Sequence, residues 1–290
     1  MDLDNIEKIK KLAIIALISD DYLMHRLVLK GGNAIDLIYK ISLRASWDYD
    51  FSMEGEFKKE EMEGIDKRIR STLQTTFLEN GFHVFDIKFC EKPKDISPEL
   101  ADFWGGYAIE FKLVGESLFE KYKGDIEKLR RNALIITSGQ TSKFEIEISK
   151  HEYCEAKQKK ELDFYSIYVY SPAMIVIEKL RAICQQMPDY LKIVNKTHGA
   201  SRAKDFFDIY TMLEHFDINL STAENQRILE NMFEVKKVPL NLLNKIVDFR
   251  EYHRLGFESV INTVPAGKEL KEFDFYYDYV VKIISTIKIL

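Results

Sequence analysis

The feature that most constrains the fold is a change of hydrophobic periodicity near residue 170. Before it, apolar residues recur at both strand and helix spacing; beyond it the strand signal stops. Upstream, Phe82 to Phe89 is rich in aromatic and β-branched residues, and Tyr107 to Leu113 alternates through Ile109, Phe111 and Leu113. Phe144-Glu145-Ile146-Glu147-Ile148 alternates carboxylates with apolar side chains, so all three segments read as strands. Ile6, Ile9, Leu12, Ala13, Ala16 and Leu17 fall at helical spacing. Further helices are expected over 34–41, over 57–79 with Phe57, Ile65, Ile69, Leu73 and Phe77 inward and Asn80-Gly81 as the stop, and around Ser117 to Arg130. Downstream, Ser171-Pro172 pairs a cap residue with proline at the first helical position. Helical spacing then covers 173–187, 201–215, 223–234, 239–252 and 268–289. The expected architecture is an α/β domain over residues 1–165 and an all-helical domain over 166–290, with no linker composition at the border.

Composition narrows the function classes. A chain with 46% hydrophobic and 31% charged residues, 6 prolines and 13 glycines reads as a soluble globular protein without a disordered tail. No apolar run approaches the roughly 18 residues a membrane helix needs. Lys8, Lys10 and Lys11 before Leu12–Ile18 imitate a signal peptide. Asp2, Asp4 and Glu7 dilute that positive region, however, and Asp20-Asp21 stands where small residues would mark cleavage. A cytoplasmic protein with no membrane partner is expected. The net charge of −5 excludes holding nucleic acid by bulk electrostatics. Cys90, Cys154 and Cys184 are far apart and outside any CxxC, against a disulfide framework or structural zinc. His151-Glu152-Tyr153-Cys154 resembles a fragment of a metal motif but lacks a second histidine one turn on.

Lys30-Gly31-Gly32-Asn33 follows the short apolar stretch Leu27-Val28-Leu29 and opens the helix over 34–41. Glycines let a backbone reach positive φ and approach a phosphate, and a helix start offers free N–H groups. One helix later comes Ser46-Trp47-Asp48-Tyr49-Asp50-Phe51. On a strand, Asp48 and Asp50 share a face and Tyr49 and Phe51 turn into a core. Two such carboxylates can hold Mg²⁺ together with substrate phosphates. With 47 acidic residues in 290, chance alone supplies roughly seven Asp/Glu pairs at that spacing, so the pair gains meaning only from the glycines before it. No GxxxxGK[ST] or GxGxxG occurs, which disfavours P-loop and Rossmann folds. Glu145 and Glu147 also share a face, and by themselves read as solvated strand residues. On a helix, Arg202, Asp205 and Asp208 form one polar ridge beside an apolar stripe of Phe206, Ile209 and Leu213. Spacing alone makes that ridge a surface row of ion pairs.

Taken in order, Lys30-Gly31-Gly32, Ser46-x-Asp48-x-Asp50-Phe51, Glu178-Lys179-Leu180-x-Ala182 and Arg202-x-Lys204-Asp205-x-x-Asp208 resemble the AbiEii/AbiGii-type nucleotidyltransferases. That family lies within the polymerase-β-like superfamily and includes toxins of bacterial toxin–antitoxin and abortive-infection systems. The resemblance implies an α+β fold, a nucleotidyltransferase-like mixed sheet followed by an all-helical half that contributes to the active-site cleft. It implies Asp48, Asp50 and Glu147 as ligands of Mg²⁺ (or Mn²⁺), with Lys179 neutralising the triphosphate and Asp205 completing the catalytic set. Lys30, Gly31, Gly32, Asn33, Ser46, Arg202 and Asp208 fall at nucleotide- or phosphate-binding positions. The implied substrate is a nucleoside triphosphate, the acceptor an RNA such as a tRNA end or a protein, and a further partner an antitoxin protein. Asn33 replaces a common Ser or Thr, Trp47 and Tyr49 are bulkier than usual, and the third acid is Glu rather than Asp. Two other readings use the same residues: a catalytically silent nucleotide-binding or regulatory module on this fold, and a kinase-like phosphotransferase.

Overall fold

The computed structural model describes residues 3–41, 48–135, 141–264, 267 and 269–288. These fall into two compact units. The first contains the described residues up to Lys40, those from 48 to His151, and Lys159–Val169. The second contains Ile41, Glu152–Gln158 and the chain from Tyr170 onward.

The first unit is built on a seven-stranded mixed sheet in the order β3-β4-β5-β2-β1-β7-β6. Its strands are β1 (Val28–Leu29), β2 (Tyr49–Ser52), β3 (Phe82–Lys92), β4 (Gly106–Gly115), β5 (Phe144–Ser149), β6 (Gln158–Leu162) and β7 (Tyr165–Val169). β2 runs parallel to β5 and antiparallel to β1, while β4 is antiparallel to both β3 and β5. The alternation in β5 does what its period requires: Phe144, Ile146 and Ile148 are buried and Glu147 is exposed. Tyr49 and Phe51 are likewise buried on β2, opposite in phase to Asp50. Helices α1 (Leu3–Ile18) and α2 (Asp21–Arg26) pack on β7, and α4 (Met62–Leu78) packs on α1 and β3. Ile65, Ile69, Leu73 and Phe77 form the inward stripe of α4, and Gly81 leaves it at φ +82°.

Local differences from the sequence reading have physical causes. The helix expected over 34–41 begins earlier, as one turn α3 (Gly31–Asn33), and continues as a π-helical segment over Ala34–Ile38. After α5 (Pro98–Ala101), the helix expected from Ser117 is two pieces, α6 (Glu116–Tyr122) and α7 (Ile126–Arg131), broken at Gly124 with φ +87°. The pair β6–β7 was not expected. Its turn is Asp163-Phe164, both at positive φ without a glycine, and β6 is a charged Gln-Lys-Lys-Glu edge strand.

The second unit is helical apart from its short entry segments. Its elements are α8 (Pro172–Cys184), α9 (Pro188–Ile193), α10 (Ala203–His215), α11 (Ala223–Glu234), α12 (Leu242–Lys245), α13 (Arg250–Arg254), α14 (Glu258–Ile261) and α15 (Phe273–Ile284). Ser171 caps α8 by accepting from the Met174 N–H, as the Ser-Pro start predicts. α8 is buried on nearly every side and touches α10, α11 and α12, the pattern of a central helix rather than a half-exposed one. α15 lies against α10, stacking Tyr277 on Phe206 with 5.1 Å between ring centroids. No helix is long and apolar enough to cross a membrane among the described residues.

Candidate active site

In the first unit, the site grows from the way β1, β2 and the α3 turn meet. The Lys30 N–H donates to the Asp50 carbonyl at 2.9 Å, and the Asn33 amide donates to the Asp48 carbonyl at 2.8 Å. The Gly-Gly turn is thus tied to the backbone of the two aspartates. Gly31 sits at φ +69°, and a Cβ there would lie 2.8 Å from Asp50 Oδ2. Position 31 must be glycine for two reasons, backbone conformation and the approach of a carboxylate. Asn33 is fully buried, with Oδ1 lacking a partner among the described residues. Lys30 is buried and its ammonium donates to Ser149 Oγ at 3.1 Å. Ser149 ends β5 and carried no signal in the sequence. Asp48 is exposed, just ahead of β2, and Asp50 is half-buried within it. Gly32 lies in the same α3 turn; Ser46 lies outside the described residues.

Glu147 stands directly beside Asp50 across the parallel β2–β5 pair. Its carboxylate is 2.5 Å from the Lys92 ammonium, which also reaches Glu145 at 2.5 Å. Lys143 adds a second cation to Glu145 at 3.0 Å. The glutamates of β5 are therefore ion-paired side chains. Among the described residues no three His, Cys, Asp or Glu side chains converge as a cation cage. Mg²⁺ commonly takes only one or two protein carboxylates and completes its shell with water and phosphate. The donor set at Asp48 and Asp50, beside the glycine approach, fits that habit.

In the second unit the motif residues of α8 and α10 do come together. The Lys179 ammonium is 3.1 Å from Asp205 Oδ1 and 2.6 Å from Asp208 Oδ2, and Arg202 Nε is 2.5 Å from Asp205 Oδ2. Lys179, Asp205 and Asp208 are each only 4% exposed, which corrects the expectation of a surface ion-pair row. The ridge faces inward because α8 offers a buried lysine beneath it. Burial alone would raise the Asp205 carboxyl, but Arg202 and Lys179 outweigh it and hold the group below its ordinary value. Arg202, with over a third of its side chain exposed, is the most accessible member of the cluster.

A second buried network belongs to Arg181, one motif position beyond Leu180. Its guanidinium pairs with Glu152 at 2.8 Å and donates to the Met232 carbonyl, also at 2.8 Å. Lys236 approaches the same glutamate at 3.5 Å. Within the His151–Cys154 fragment, Glu152 is thus an ion-pair partner of Arg181, and Cys154 is buried.

Comparison with solved structures places the fold. The nucleotidyltransferase toxin MenT4 of Mycobacterium tuberculosis H37Rv superposes with TM-score 0.51 at 12% identity, covering 96% of this chain and 81% of that one. JHP933 of Helicobacter pylori gives TM-score 0.47 at 16% identity over 97% and 89% of the two chains. The former likeness shows a shared nucleotidyltransferase α+β fold. No curated protein matches the chain in sequence. A family model described as "Nucleotidyl transferase AbiEii toxin, Type IV TA system" matches residues 13–279, nearly the whole chain and both motif clusters. The chain therefore belongs to the AbiEii family of nucleotidyltransferase toxins.

Proposed function

We propose that this nucleotidyltransferase is metal-dependent and moves a nucleotide from a nucleoside triphosphate to an RNA end, such as that of a tRNA, or to a protein. The observation that carries the reading is the fit of Gly31 against the Asp50 carboxylate, where a single Cβ would intrude at 2.8 Å. In this reading Asp48 and Asp50 hold Mg²⁺ or Mn²⁺. An ion held by these two carboxylates would supply positive charge against the charge that builds on the triphosphate. Gly31, Gly32 and Asn33 present the start of a helical segment to phosphate. The acceptor hydroxyl oxygen bonds to the α-phosphorus and gives up its proton to solvent, as the bond from the α-phosphorus to the bridging oxygen breaks and its electron pair leaves with pyrophosphate. Arg202 supplies the reachable positive charge of its cluster, while Lys179 holds Asp205 and Asp208 in place behind it. As a toxin the protein acts in the bacterial cytoplasm and is countered by a separately encoded antitoxin.

Incubation with each of the four labelled nucleotides, Mg²⁺ or Mn²⁺, and total RNA and protein tests this. One nucleotide is expected to label product, and Asp48→Ala to lower the rate at least about 1,000-fold. Labelling that survives Asp48→Ala, or that proceeds in EDTA, would overturn the reading. Glu147 Oε1 is already engaged by the Lys92 ammonium, so Glu147→Gln is expected to cost less than Asp48→Ala. Equal losses in the two variants would make Glu147 a full ligand.

A further inference from the structure

The segment 199–202 carries Arg202 into the Lys179–Asp205–Asp208 cluster, and the Arg202 side chain does not cap α10. The cap comes from a part of the chain without any motif. The Arg202 N–H donates to His253 Nδ1 at 3.1 Å, and Ser201 Oγ donates to the His253 carbonyl at 2.7 Å. The segment is held just as closely on its other side. Ala200 N–H donates to Gln186 Oε1 at 2.9 Å, and a Cβ on Gly199 would meet the Gln186 carbonyl at 2.6 Å. A Cβ on Gly256 would strike Ser201 Oγ at 2.1 Å, so the glycine is required for α13 to approach. Four neighbouring residues are therefore clamped between the end of α8 and the α13 region.

His253 itself is fully buried, with the rings of Phe206 and Tyr252 at 5.2 and 5.1 Å. Because Nδ1 accepts, the neutral ring carries its proton on Nε2, and Nε2 is buried without a partner among the described residues. An unpaired buried N–H is a cost that a phenyl ring in the same space avoids. What the imidazole contributes here is therefore its Nδ1 acceptor.

We propose that His253 is a positioning residue for nucleotide transfer: through Nδ1 it fixes the Arg202 backbone, and so aims the Arg202 guanidinium and Asp205 within their cluster. The inference rests on the transfer reading above, in which Arg202 supplies the reachable positive charge of that cluster. Three substitutions separate the possibilities. His253→Asn keeps an acceptor near the Nδ1 position, His253→Gln moves the carboxamide toward Nε2, and His253→Phe keeps the ring but no acceptor. Amide hydrogen exchange across 200–205 is read without nucleotide, and kcat and KM for the labelled nucleotide are read separately. His253→Gln and His253→Phe are expected to speed Arg202 amide exchange and to lower kcat at least tenfold. His253→Asn is expected to stay within threefold of the unsubstituted protein on both. If His253→Phe does not fold, the Asn–Gln contrast decides. Equal behaviour of Asn and Gln, or unchanged exchange and kcat in a folded His253→Phe, overturns the proposal. Failure of the unsubstituted protein to transfer any nucleotide sinks the functional reading and the kcat consequence with it, whereas the exchange ratio still decides the clamp.

Discussion

Gly31 shows how one missing side chain can make a site. Its φ of +69° is strained for any other residue, and the space above its Cα belongs to Asp50 Oδ2. Gly31→Ala is expected to cost about 1–3 kcal/mol of stability for the backbone strain. It should also displace the Asp50 carboxylate and remove most transfer activity; a stable, fully active Gly31→Ala protein would show that the approach is incidental. His253 makes the opposite case, a polar ring kept in a fully buried position with Nε2 unpaired among the described residues. Burial pushes its imidazole down to about 4 from an ordinary 6.5, against the pull of Asp205 and alongside the repulsion of Arg202. The sign follows from proton counting. Between those values the unfolded chain takes up a proton that the fold refuses, so stability falls as pH drops from 6.5 to 4. The full span corresponds to about 3 kcal/mol. Denaturation measured across that range should show a flatter slope in His253→Asn; an unchanged slope would mean that the ring is protonated in the fold.

At the scale of elements, α8 and α10 are joined by charge as well as by apolar packing. Lys179→Met leaves Asp205 and Asp208 buried without their shared cation, and is expected to destabilise by about 3–5 kcal/mol. Adding Asp205→Asn and Asp208→Asn should recover part of that loss, because a neutral cluster no longer demands compensation. Denaturant titration of the single and triple variants is the check, and a loss under about 1 kcal/mol in Lys179→Met would contradict the buried-charge account. The same pair of helices shows what a sequence can and cannot express. Periodicity placed α4, β5, α10 and α11 within a few residues because each buries one face, and β4 and α8 because their apolar runs have clear bounds. It did not reveal that the Asp205–Asp208 face turns inward, since helical spacing defines a ridge but not its partner. The segment 239–252 read as one helix and is several short turns, held by contacts such as the hydrogen bond from Tyr277 Oη to the Ile246 carbonyl. β6 and β7 escaped because their turn uses Phe164 at positive φ, where the usual signal is Asn-Gly.

At the scale of the whole chain, the family match gives the enzyme class, and the two units carry different parts of its motif set. The Gly31-Gly32 turn and the Asp48–Asp50 segment were legible because each is a short pattern of local spacing. Ser149, Lys92 and His253 were not legible, because each meets its partner through long-range pairing: Lys30 to Ser149, Lys92 to Glu147, His253 to Arg202. The central claim is that Asp48 and Asp50 direct a metal-dependent transfer of the α-phosphoryl nucleotide. It is tested most directly by running the reaction in parallel with α-labelled and γ-labelled nucleotide, on the unsubstituted protein, Asp48→Ala and Asp50→Ala. The account predicts product labelled from the α-phosphate alone, with pyrophosphate released in equal amount and both variants silent. Label arriving from the γ-phosphate, or α-label persisting in either variant, would contradict it.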